Sequence, residues 1–337
     1  MIEQKVRAGR NRTICLSPDE TSDYLGKCID VSEISNDTTL VDRIICGDCL
    51  RVLRTIDDRS VDLMIVDPPY NIDKTFSTMT FHKMDSDRYE AFTREWIHGI
   101  LRVLKETASV YICCDWKTSI IIGRVLHDYF VIQNRITWQR EKGRGARYNW
   151  KNGMEDIWFV TMSDKYTFNV ESVKQRRKVI APYRIDGRPK DWVETENGNF
   201  RDTYPSNFWD DISIPYWSMP DNTDHPTQKP EKLFAKLILA SSNPGDLVVD
   251  PFAGVGTSCV VAKKLNRHFI GIEKEPEYCA LSVKRLEIAE SDISIQGYHN
   301  GIFWERNSLS DQKRKPAKTT HMVQDSLFGV EEVTNVQ

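Results

Sequence analysis

Apolar residues recur along most of this chain in two alternating patterns. Short continuous apolar runs predict buried strands, and apolar residues spaced three or four positions apart predict helices. The predicted strands cover residues 44–46, 61–66, 109–114, 129–138, 157–162, 246–250 and 269–272. The predicted helices cover residues 50–56, 87–105, 118–127, 258–265 and 276–290, and another begins at residue 230. Strands that alternate with helices indicate an α/β fold with a mostly parallel, twisted sheet.

Three stretches depart from this alternation. Residues 1–39 contain few apolar clusters and predict a loosely ordered arm. Residues 166–224 have no clear period and are rich in proline, aspartate, arginine and aromatic residues, which predicts an insert. Residues 308–337 predict a mobile polar tail. The chain therefore divides into the arm, a first half at 40–165, the insert, a second half at 225–307 and the tail.

The chain is long enough to bury a sizeable core and is close to electrically neutral. Its 337 residues are 40% hydrophobic, and 46 Lys and Arg oppose 49 Asp and Glu, which leaves a net charge of -3. This balance disfavours a nucleic-acid binder, because such proteins are usually basic. No apolar run reaches the roughly 18 residues of a membrane-spanning helix, and the polar N-terminal segment lacks a secretory pattern. We therefore expect a cytoplasmic protein without a membrane partner.

The cysteines give little support for a metal site. The chain has Cys15, Cys28, Cys46, Cys49, Cys113, Cys114, Cys259 and Cys279. Only Cys46 and Cys49 have the spacing of a metal or redox pair, and a structural zinc generally needs two such pairs. We expect no metal, and we expect the cysteines to act as small apolar residues in a reducing cytoplasm.

A glycine-containing turn follows the predicted strand 246–250. Its sequence is Asp250-Pro-Phe-Ala-Gly254-Val-Gly256-Thr257. The two glycines let the backbone pass close to a ligand at the carboxyl edge of the sheet. Cys259 stands where a dinucleotide fingerprint has its third glycine, which disfavours an oxidoreductase. Glu273, at the end of the next strand, can accept both hydroxyls of a ribose. The alternative is a tight turn in which Thr257 caps the following helix.

The second motif is Asp67-Pro68-Pro69-Tyr70, at the end of the predicted strand 61–66. Successive prolines remove backbone donors and leave carbonyl oxygens as acceptors. A carboxylate, a carbonyl and a flat ring suit a planar base that carries an exocyclic amine, because the amine donates to both acceptors while the ring stacks. The alternative is a turn with a hydrogen bond from the Asp67 side chain to the backbone.

The third motif is His225-Pro-Thr-Gln-Lys229-Pro230, just before a predicted helix. Exposed backbone amides and Lys229 could hold a carboxylate there. The alternative is ordinary capping, with Thr227 as the cap and Pro230 in the first turn.

Together the three motifs resemble the DNA amino-methyltransferases, which use S-adenosylmethionine to methylate adenine N6 or cytosine N4. Their order, with Asp-Pro-Pro-Tyr first and Phe-Ala-Gly-Val-Gly last, resembles the circularly permuted β group of that family. Further similar stretches are Cys46-Gly-Asp48-Cys-Leu, Lys165-Tyr-Thr-Phe-Asn169, Ser242-Asn-Pro-Gly-Asp246 and Gly271-Ile-Glu273. The resemblance covers about residues 43–170 and 225–290. It implies a Rossmann-like methyltransferase fold in which 40–165 is the catalytic half and 225–307 the cofactor-binding half.

The resemblance also implies roles for individual residues. Asp67 and the carbonyl of Pro68 would hold the target amine, and Tyr70 would stack on the flipped base, with Pro69 completing this catalytic motif. The cofactor-binding residues that it implies are Asp48, Thr227, Gln228, Lys229, Asp250, Phe252, Ala253, Gly254, Gly256, Thr257 and Glu273. In this set Thr227, Gln228 and Lys229 would address the carboxylate of the cofactor.

Two segments have a strong local positive charge, although the chain as a whole does not. Residues 138–151 have a net charge of +4 and residues 174–190 a net charge of +6. Such runs are often solvated faces, but a base that must leave its duplex needs a protein that holds the phosphates. The residues that we expect to contact DNA are Arg140, Lys142, Arg144, Arg147, Lys151, Lys174, Arg176, Arg177 and Lys178. The insert 166–224 is the expected target-recognition region.

These features favour site-specific methylation of adenine N6 in double-stranded DNA, within a restriction–modification system. The aspartate at position 67 favours adenine, because cytosine-N4 members more often begin this motif with serine. The alternatives are a cytosine-N4 enzyme on the same scaffold, an enzyme for RNA or a glutamine amide, and a non-catalytic nucleotide-binding regulatory module. A cognate endonuclease and a second copy of the chain are the partners left open.

Overall fold

The protein is described by a computed structural model that covers residues 8–76, 79–144, 147–148, 150–179, 183–195 and 198–306. The helices in these ranges are α1 Pro18–Leu25, α2 Cys49–Leu53, α3 Ser86–Leu101, α4 Thr118–Leu126, α5 Glu231–Ser241, α6 Thr257–Lys264 and α7 Pro276–Ser291. The strands are β1 Ile29–Asp30, β2 Arg43–Cys46, β3 Val61–Val66, β4 Lys74–Phe76, β5 Met79–Phe81, β6 Leu104–Cys114, β7 Val131–Arg144, β8 Asn152–Thr161, β9 Gln175–Lys178, β10 Arg184–Ile185, β11 Arg188–Pro189, β12 Val193–Thr195, β13 Gly198–Thr203, β14 Phe208–Trp209, β15 Leu247–Asp250, β16 His268–Glu273, β17 Tyr298–His299 and β18 Ile302–Trp304.

A nine-stranded sheet forms the centre of the described part of the chain. Its strand order is β1-β2-β16-β15-β3-β6-β8-β7-β14. Within the described residues β8 runs antiparallel to both of its neighbours, and the other strands all point the same way. The pairing of β15 with β3 joins the two halves of the sequence in one sheet. The predicted α/β fold with a mostly parallel sheet is therefore confirmed.

Helices cover both faces of this sheet. Alternate residues of β3 divide between the two faces, as the pleat of a strand requires. Leu63 and Ile65 pack in the cluster formed with α5, α6 and α7. Met64 and Val66 pack in the cluster formed with α2, α3 and α4. The result is three layers with a buried apolar core on each side of the sheet.

The parallel strands place the motifs of the sequence at one edge. The strands β2, β3, β15 and β16 all end there, so the residues that follow them lie side by side. The antiparallel β8 begins at the same edge, where Asp156 pairs with Cys114 and Glu155 pairs with Trp138. A long β7–β8 hairpin thus extends along the sheet to this edge.

The predicted helix 87–105 was too long at its C-terminal end. Helix α3 ends at Leu101, and β6 begins at Leu104, five residues before the predicted strand. Leu104 and Lys105 continue the helical spacing, but Leu104 pairs with Val61 of β3. Tertiary pairing with a buried strand outweighs local helical periodicity at this point.

The prediction of a loose N-terminal arm was wrong for the residues from 8 onward. Helix α1 begins with a capping box, in which Ser17 and Glu20 exchange backbone and side-chain hydrogen bonds. The ammonium of Lys284 in α7 lies 2.6 Å from the carboxylate of Glu20, and Lys27 pairs with Glu287. The arm therefore packs against α7, and β1 adds a short edge strand beside β2.

The insert 166–224 contains more regular structure than its sequence suggested. Strands β9, β12 and β13 form a five-stranded sheet with β17 and β18, which follow α7. β14 of the insert pairs in parallel with β7 of the central sheet. The carboxylate of Asp211 lies 2.5 Å from the ammonium of Lys232 and 3.0 Å from that of Lys236, both in α5. The insert is thus attached to the main fold at several points.

Candidate active site

A cavity of about 540 Å³ opens at the carboxyl edge of the sheet. The residues predicted from the sequence that line it are Asp48, Asp67, Pro68, Pro69, Tyr70, Thr227, Gln228, Lys229, Asp250, Phe252, Ala253, Gly254, Thr257 and Glu273. Gly256 is the one member of the predicted cofactor-binding set that does not line the cavity. Residues as far apart in sequence as Asp48 and Glu273 therefore share one site, because their strands end side by side.

The glycine turn between β15 and α6 depends on left-handed backbone. Gly254 has φ +54° and Gly256 has φ +68°, which side-chain-bearing residues rarely adopt. A Cβ atom on Gly256 would lie 2.8 Å from the side chain of Ser282 in α7. Gly256 therefore allows the turn and the close packing of α7. Gly254 presents its backbone to the cavity.

Three carboxylates brace the walls of the cavity. Glu273 accepts hydrogen bonds from the backbone amides of Gly254, Lys274 and Glu275, each at 2.8 Å. Burial raises the pKa of Asp250 to about 7, although Ser258 donates to it. Asp48 accepts from two backbone amides and caps α2. These groups fix the loops that surround the cavity.

A buried ion network lies at the end of β3. The ammonium of Lys229 lies 2.8 and 2.7 Å from the two carboxylate oxygens of Asp67, and 3.4 Å from Glu155 Oε2. The hydroxyl of Tyr70 donates at 3.1 Å to Asp67 and lies 3.2 Å from Glu155. Arg140 Nη1 lies 2.5 Å from the other oxygen of Glu155. Two carboxylates and two cations thus balance each other inside the site.

Burial and charge act in opposite directions on this network. Burial raises the pKa of Asp67, Lys229 opposes this shift, and Glu155 adds to it. Burial alone would lower the pKa of Lys229, but the carboxylates of Asp67 and Glu155 outweigh burial, so the pKa is raised. Lys229 is therefore a permanent cation at neutral pH. Burial, followed by the charges of Asp67 and Glu155, also raises the pKa of Tyr70, which stays a neutral donor.

The positions of Lys229 and Gln228 differ from those expected at the cofactor carboxylate. Lys229 is directed at Asp67, as described above. The side chain of Gln228 accepts from Thr223 and donates to the carbonyl of Asp221, so its polar atoms hold the loop 221–228. Thr227 lines the cavity, but the cap of α5 is Pro230, without a side-chain hydrogen bond. The capping role considered for Thr227 is thus wrong.

Several site residues escaped the sequence reasoning. Glu155 lies just outside the predicted strand 157–162 and belongs to no motif. His225 was noticed only as part of a motif, yet burial, with Lys229 adding to it, lowers its pKa to about 3. Its ring meets that of Tyr278 edge-on, with centroids 4.5 Å apart. Trp96 packs edge-on against Phe252 and also lines the cavity. A buried acid outside any motif, such as Glu155, gives a single sequence no signal of its role.

The basic residues expected to contact DNA fall into two groups. Arg147 and Lys151 are exposed near the tip of the β7–β8 hairpin, beside Tyr148 and Trp150, whose surfaces are 92% and 95% exposed. The side chains of Lys142 and Arg144 lie outside the described part of the structure. Arg140, expected to hold phosphate, instead pairs with Glu155.

The basic run of the insert is largely compensated by nearby acids. Arg176 makes two hydrogen bonds of 2.7 Å to Asp202, and Lys174 lies 2.6 Å from Glu171. Arg177 lies 4.0 Å from both Asp210 and Glu305. Lys178 is exposed. The net charge of +6 in the sequence therefore overstates the positive charge that this surface presents.

Metal-site and membrane-span features are absent from the described ranges. No group of three or more His, Cys, Asp or Glu side chains in them is arranged to hold a metal ion. None of the helices in the same ranges is long and apolar enough to cross a membrane.

The fold and the cavity define a class of α/β enzymes. In this class a glycine turn and an acidic residue follow neighbouring strands, and an Asp-Pro-Pro-Tyr motif lies beside them. Comparison with known proteins agrees. The family model for N6/N4 methylases, described as DNA methylase, matches residues 61–284. The chain belongs to this family, and it is an S-adenosylmethionine-dependent DNA methyltransferase. The family, the enzyme class and the cofactor predicted from the motifs are confirmed.

Individual relatives are similar over most of the chain. The Type II methyltransferase M.HpaI of Haemophilus parainfluenzae is 35% identical over 250 residues, covering 73% of this chain and 74% of that protein. The DNA adenine methyltransferase YhdJ of Escherichia coli is 36% identical over 275 residues, covering 80% of this chain and 92% of that protein. The solved PvuII DNA methyltransferase, which is cytosine-N4-specific, has a TM-score of 0.54 at 18% identity, covering 74% of this chain and 90% of that one. This last likeness concerns the fold alone.

Proposed function

We propose that the chain methylates the N6 amine of adenine at specific sites in double-stranded DNA. The observation that carries this proposal is a partly buried aspartate, Asp67, on the wall of a cavity that the glycine turn also lines. The similarity to the E. coli DNA adenine methyltransferase supports adenine as the target. Cytosine N4 is the second candidate, because the shared fold also occurs in the PvuII enzyme.

The residues around the glycine turn fit the cofactor. The cavity volume of about 540 Å³ lies in the usual range for small-molecule sites and can accommodate a nucleoside with an amino-acid tail. A Cβ atom on Gly254 would lie 3.4 Å from the ring of His225, so glycine keeps this passage open. Glu273 would meet the ribose hydroxyls and Asp250 the amino group. When bound, S-adenosylmethionine supplies a methyl group that is already activated on a sulfonium.

The chain's own residues then act on the target base. Asp67 and the carbonyl of Pro68 accept the hydrogens of the exocyclic amine, which frees the nitrogen lone pair from conjugation with the ring. Tyr70 holds the base by stacking. The freed lone pair would form the bond to the methyl group that the cofactor supplies, with the neutral thioether as the leaving group. Asp67 stabilises the positive charge that grows on nitrogen, and the surplus proton leaves through it to water.

The position of the modified atom tests the target assignment. Unmethylated plasmid DNA treated with the protein and cofactor should yield N6-methyladenine when its nucleosides are separated and identified by mass spectrometry. N4-methylcytosine as the product would overturn the adenine assignment. The absence of either product in the presence of bound cofactor would favour a non-catalytic module.

The protein also needs a DNA-binding surface. We infer that Arg147 and Lys151 of the β7–β8 hairpin contact phosphates, because they are exposed and the hairpin begins beside the cavity. The sheet formed by β9, β12, β13, β17 and β18 is the proposed target-recognition region. We further propose that the protein acts in the cytoplasm, in a restriction–modification system with a cognate endonuclease. Homodimer formation is also part of this proposal.

A further inference from the structure

The ammonium of a lysine is already hydrogen-bonded to the carboxylate that should accept the target amine. The ammonium of Lys229 is within 2.8 Å of both oxygens of Asp67. The Lys229 side chain is buried, so water cannot readily replace it. An incoming amine must also donate to Asp67. The lysine therefore has to share or release at least one of its two hydrogen bonds when a base arrives.

A second acceptor for the same ammonium lies next to Asp67. Oε2 of Glu155 is 3.4 Å from the Lys229 nitrogen, and Glu155 projects from β8, across the sheet edge from β3. Arg140 holds the other oxygen of Glu155, and the Tyr70 hydroxyl lies between the two acids. A movement of about 0.5 Å would bring the ammonium within ordinary hydrogen-bond distance of Glu155.

We propose that Lys229 and Glu155 are positioning residues: Lys229 favours the ionised form of Asp67 and aligns it before a base binds, and Glu155 takes over the ammonium when the target amine reaches Asp67. This inference deepens the proposed function and rests on Asp67 as the acceptor of the amine. Neither residue touches the reacting atoms, so neither is a catalytic residue.

The electrostatics of the site require such an arrangement. An unpaired carboxylate that is removed from water is costly, and a buried one tends to take up a proton instead. A protonated Asp67 would have one oxygen fewer for the amine and no charge for the growing cation. Lys229 opposes this protonation, because its charge lowers the pKa that burial raises. Glu155 keeps the site neutral after the ammonium moves, because the Arg140 and Lys229 charges balance those of the two acids.

The two members of the pair affect Asp67 in opposite directions. Lys229 lowers the pKa of Asp67 and Glu155 raises it. The other titratable groups that face Asp67 or interact with it are Tyr70, Tyr89, Cys113 and Asp250. All of these are unchanged in variants of the pair, so a shift in the acidic limb of the pH–rate profile would report the pair itself.

The test compares three site variants with a control in the full-length protein. Lys229→Met and Glu155→Gln remove one charge each at nearly constant shape, and Asp67→Asn removes the acceptor. Lys263→Met removes a lysine of similar pairing, to Glu290, on the surface of α6, and serves as the control. Single-turnover methylation of unmethylated DNA is followed between pH 5 and pH 9, an interval of about two units on either side of neutrality. Binding of S-adenosylmethionine and of methylthioadenosine, which lacks the carboxylate, is measured by calorimetry.

The proposal makes a distinct expectation for each variant. Lys229→Met should lower the rate about 100-fold, the usual effect of losing one electrostatic contact in a site, and should shift the acidic limb to higher pH. Glu155→Gln should shift the limb to lower pH and raise the KM for DNA, because the ammonium has no second acceptor. Both cofactor affinities should stay within about threefold of the parent, a change under 1 kcal/mol. If Lys229→Met does not fold, the shift of the acidic limb of the pH–rate profile in Glu155→Gln tests the proposal alone.

Other outcomes overturn the proposal in recognisable ways. A loss of S-adenosylmethionine affinity in Lys229→Met, with methylthioadenosine binding kept, would make Lys229 a ligand of the cofactor carboxylate. Unchanged rates and profiles in both pair variants, with Asp67→Asn inactive, would refute the inference but leave the proposed function intact. Near-normal turnover in Asp67→Asn would instead refute the proposed function.

Discussion

The attachment of the insert to α5 depends on one buried acid shared by two lysines. Asp211 lies 2.5 Å from Lys232 and 3.0 Å from Lys236, and all three side chains are buried. Lys232 also donates to the backbone carbonyls of Asp211 and Trp304, so the contact joins the insert, α5 and β18. Replacing Asp211 by Asn would remove the counter-charge that these two neighbouring buried cations share.

The expected loss is large for a single substitution. Breaking a buried ion pair by removing one partner costs about 3–5 kcal/mol, because the remaining charge stays buried. Asp202→Asn is the matched control, since it removes an acid from the partly exposed pair with Arg176 in the same insert. An exposed pair of this kind contributes only about 0–1 kcal/mol. Asp211→Asn should therefore reduce the free energy of unfolding several times more than Asp202→Asn.

The pH dependence provides a second signature. Burial lowers the pKa of Lys236 to about 8, although Asp211 opposes the shift. Between about pH 8 and 10.5 the unfolded chain keeps a proton on this lysine that the folded chain has released, so stability from this group rises with pH. Without Asp211 the folded pKa falls further and the rise begins at lower pH. The deficit of Asp211→Asn should thus shrink between neutral pH and about pH 9.5.

Urea unfolding followed by tryptophan fluorescence measures both effects. Trp209 is a suitable probe, because the Lys236 ammonium lies 4.9 Å from the centre of its ring. Curves are recorded for the parent, Asp211→Asn and Asp202→Asn at the two pH values. Equal losses in the two variants, or a deficit of Asp211→Asn that does not change with pH, would refute this account of the contact.

Three further predictions concern the site and its surroundings. Gly256→Ala should weaken both stability and cofactor binding, because it combines a φ of +68° with a clash against α7, whereas Gly187→Ala, at φ +77° in open space, should show the strain alone. Calorimetric Kd values and thermal melting would separate these effects. The pKa of His225 is about 3, so its contribution to stability should fall as pH drops from 6.5 towards 3, and His225→Gln should flatten that part of the stability profile. Arg147→Ala with Lys151→Ala should reduce the slope of log affinity for DNA against log salt by about 2, and an unchanged slope would exclude both residues from phosphate contact.

The sequence was sufficient for the frame of the fold and for the location of the cavity. Parallel strands bring their carboxyl ends to one edge, so motifs that follow β3, β15 and β16 had to meet once these strands were recognised. Strand positions were readable because their apolar runs are short and bounded by proline, glycine or acidic residues.

The ion network could not be read in the same way. Asp67 and Lys229 are separated by 162 positions, and each has a separate explanation within its own motif. Glu155 belongs to no motif, and it lies two residues before the start of the predicted strand 157–162, although β8 begins at Asn152. In the sequence, Lys229 lies in a motif that predicts a contact with the cofactor carboxylate. In the folded chain its ammonium contacts the carboxylate of Asp67. Pairing of buried charges is decided by tertiary distance, which a local pattern does not contain.

The distribution of positive charge on the surface could not be predicted from the sequence either. The sequence places a net +6 at residues 174–190, but acids of neighbouring strands and turns pair with much of this charge, as Asp202 does with Arg176. The smaller net charge of +4 at 138–151 includes Arg147 and Lys151, which lie exposed on a hairpin that begins at the cavity. Counting charge along the chain therefore favours the insert as the main phosphate contact, whereas counting it in space favours the hairpin. Since a flipped base must enter the cavity from the duplex, phosphate contacts beside the cavity also restrain the atom that reacts, and the hairpin is the surface whose loss should reduce both affinity and rate.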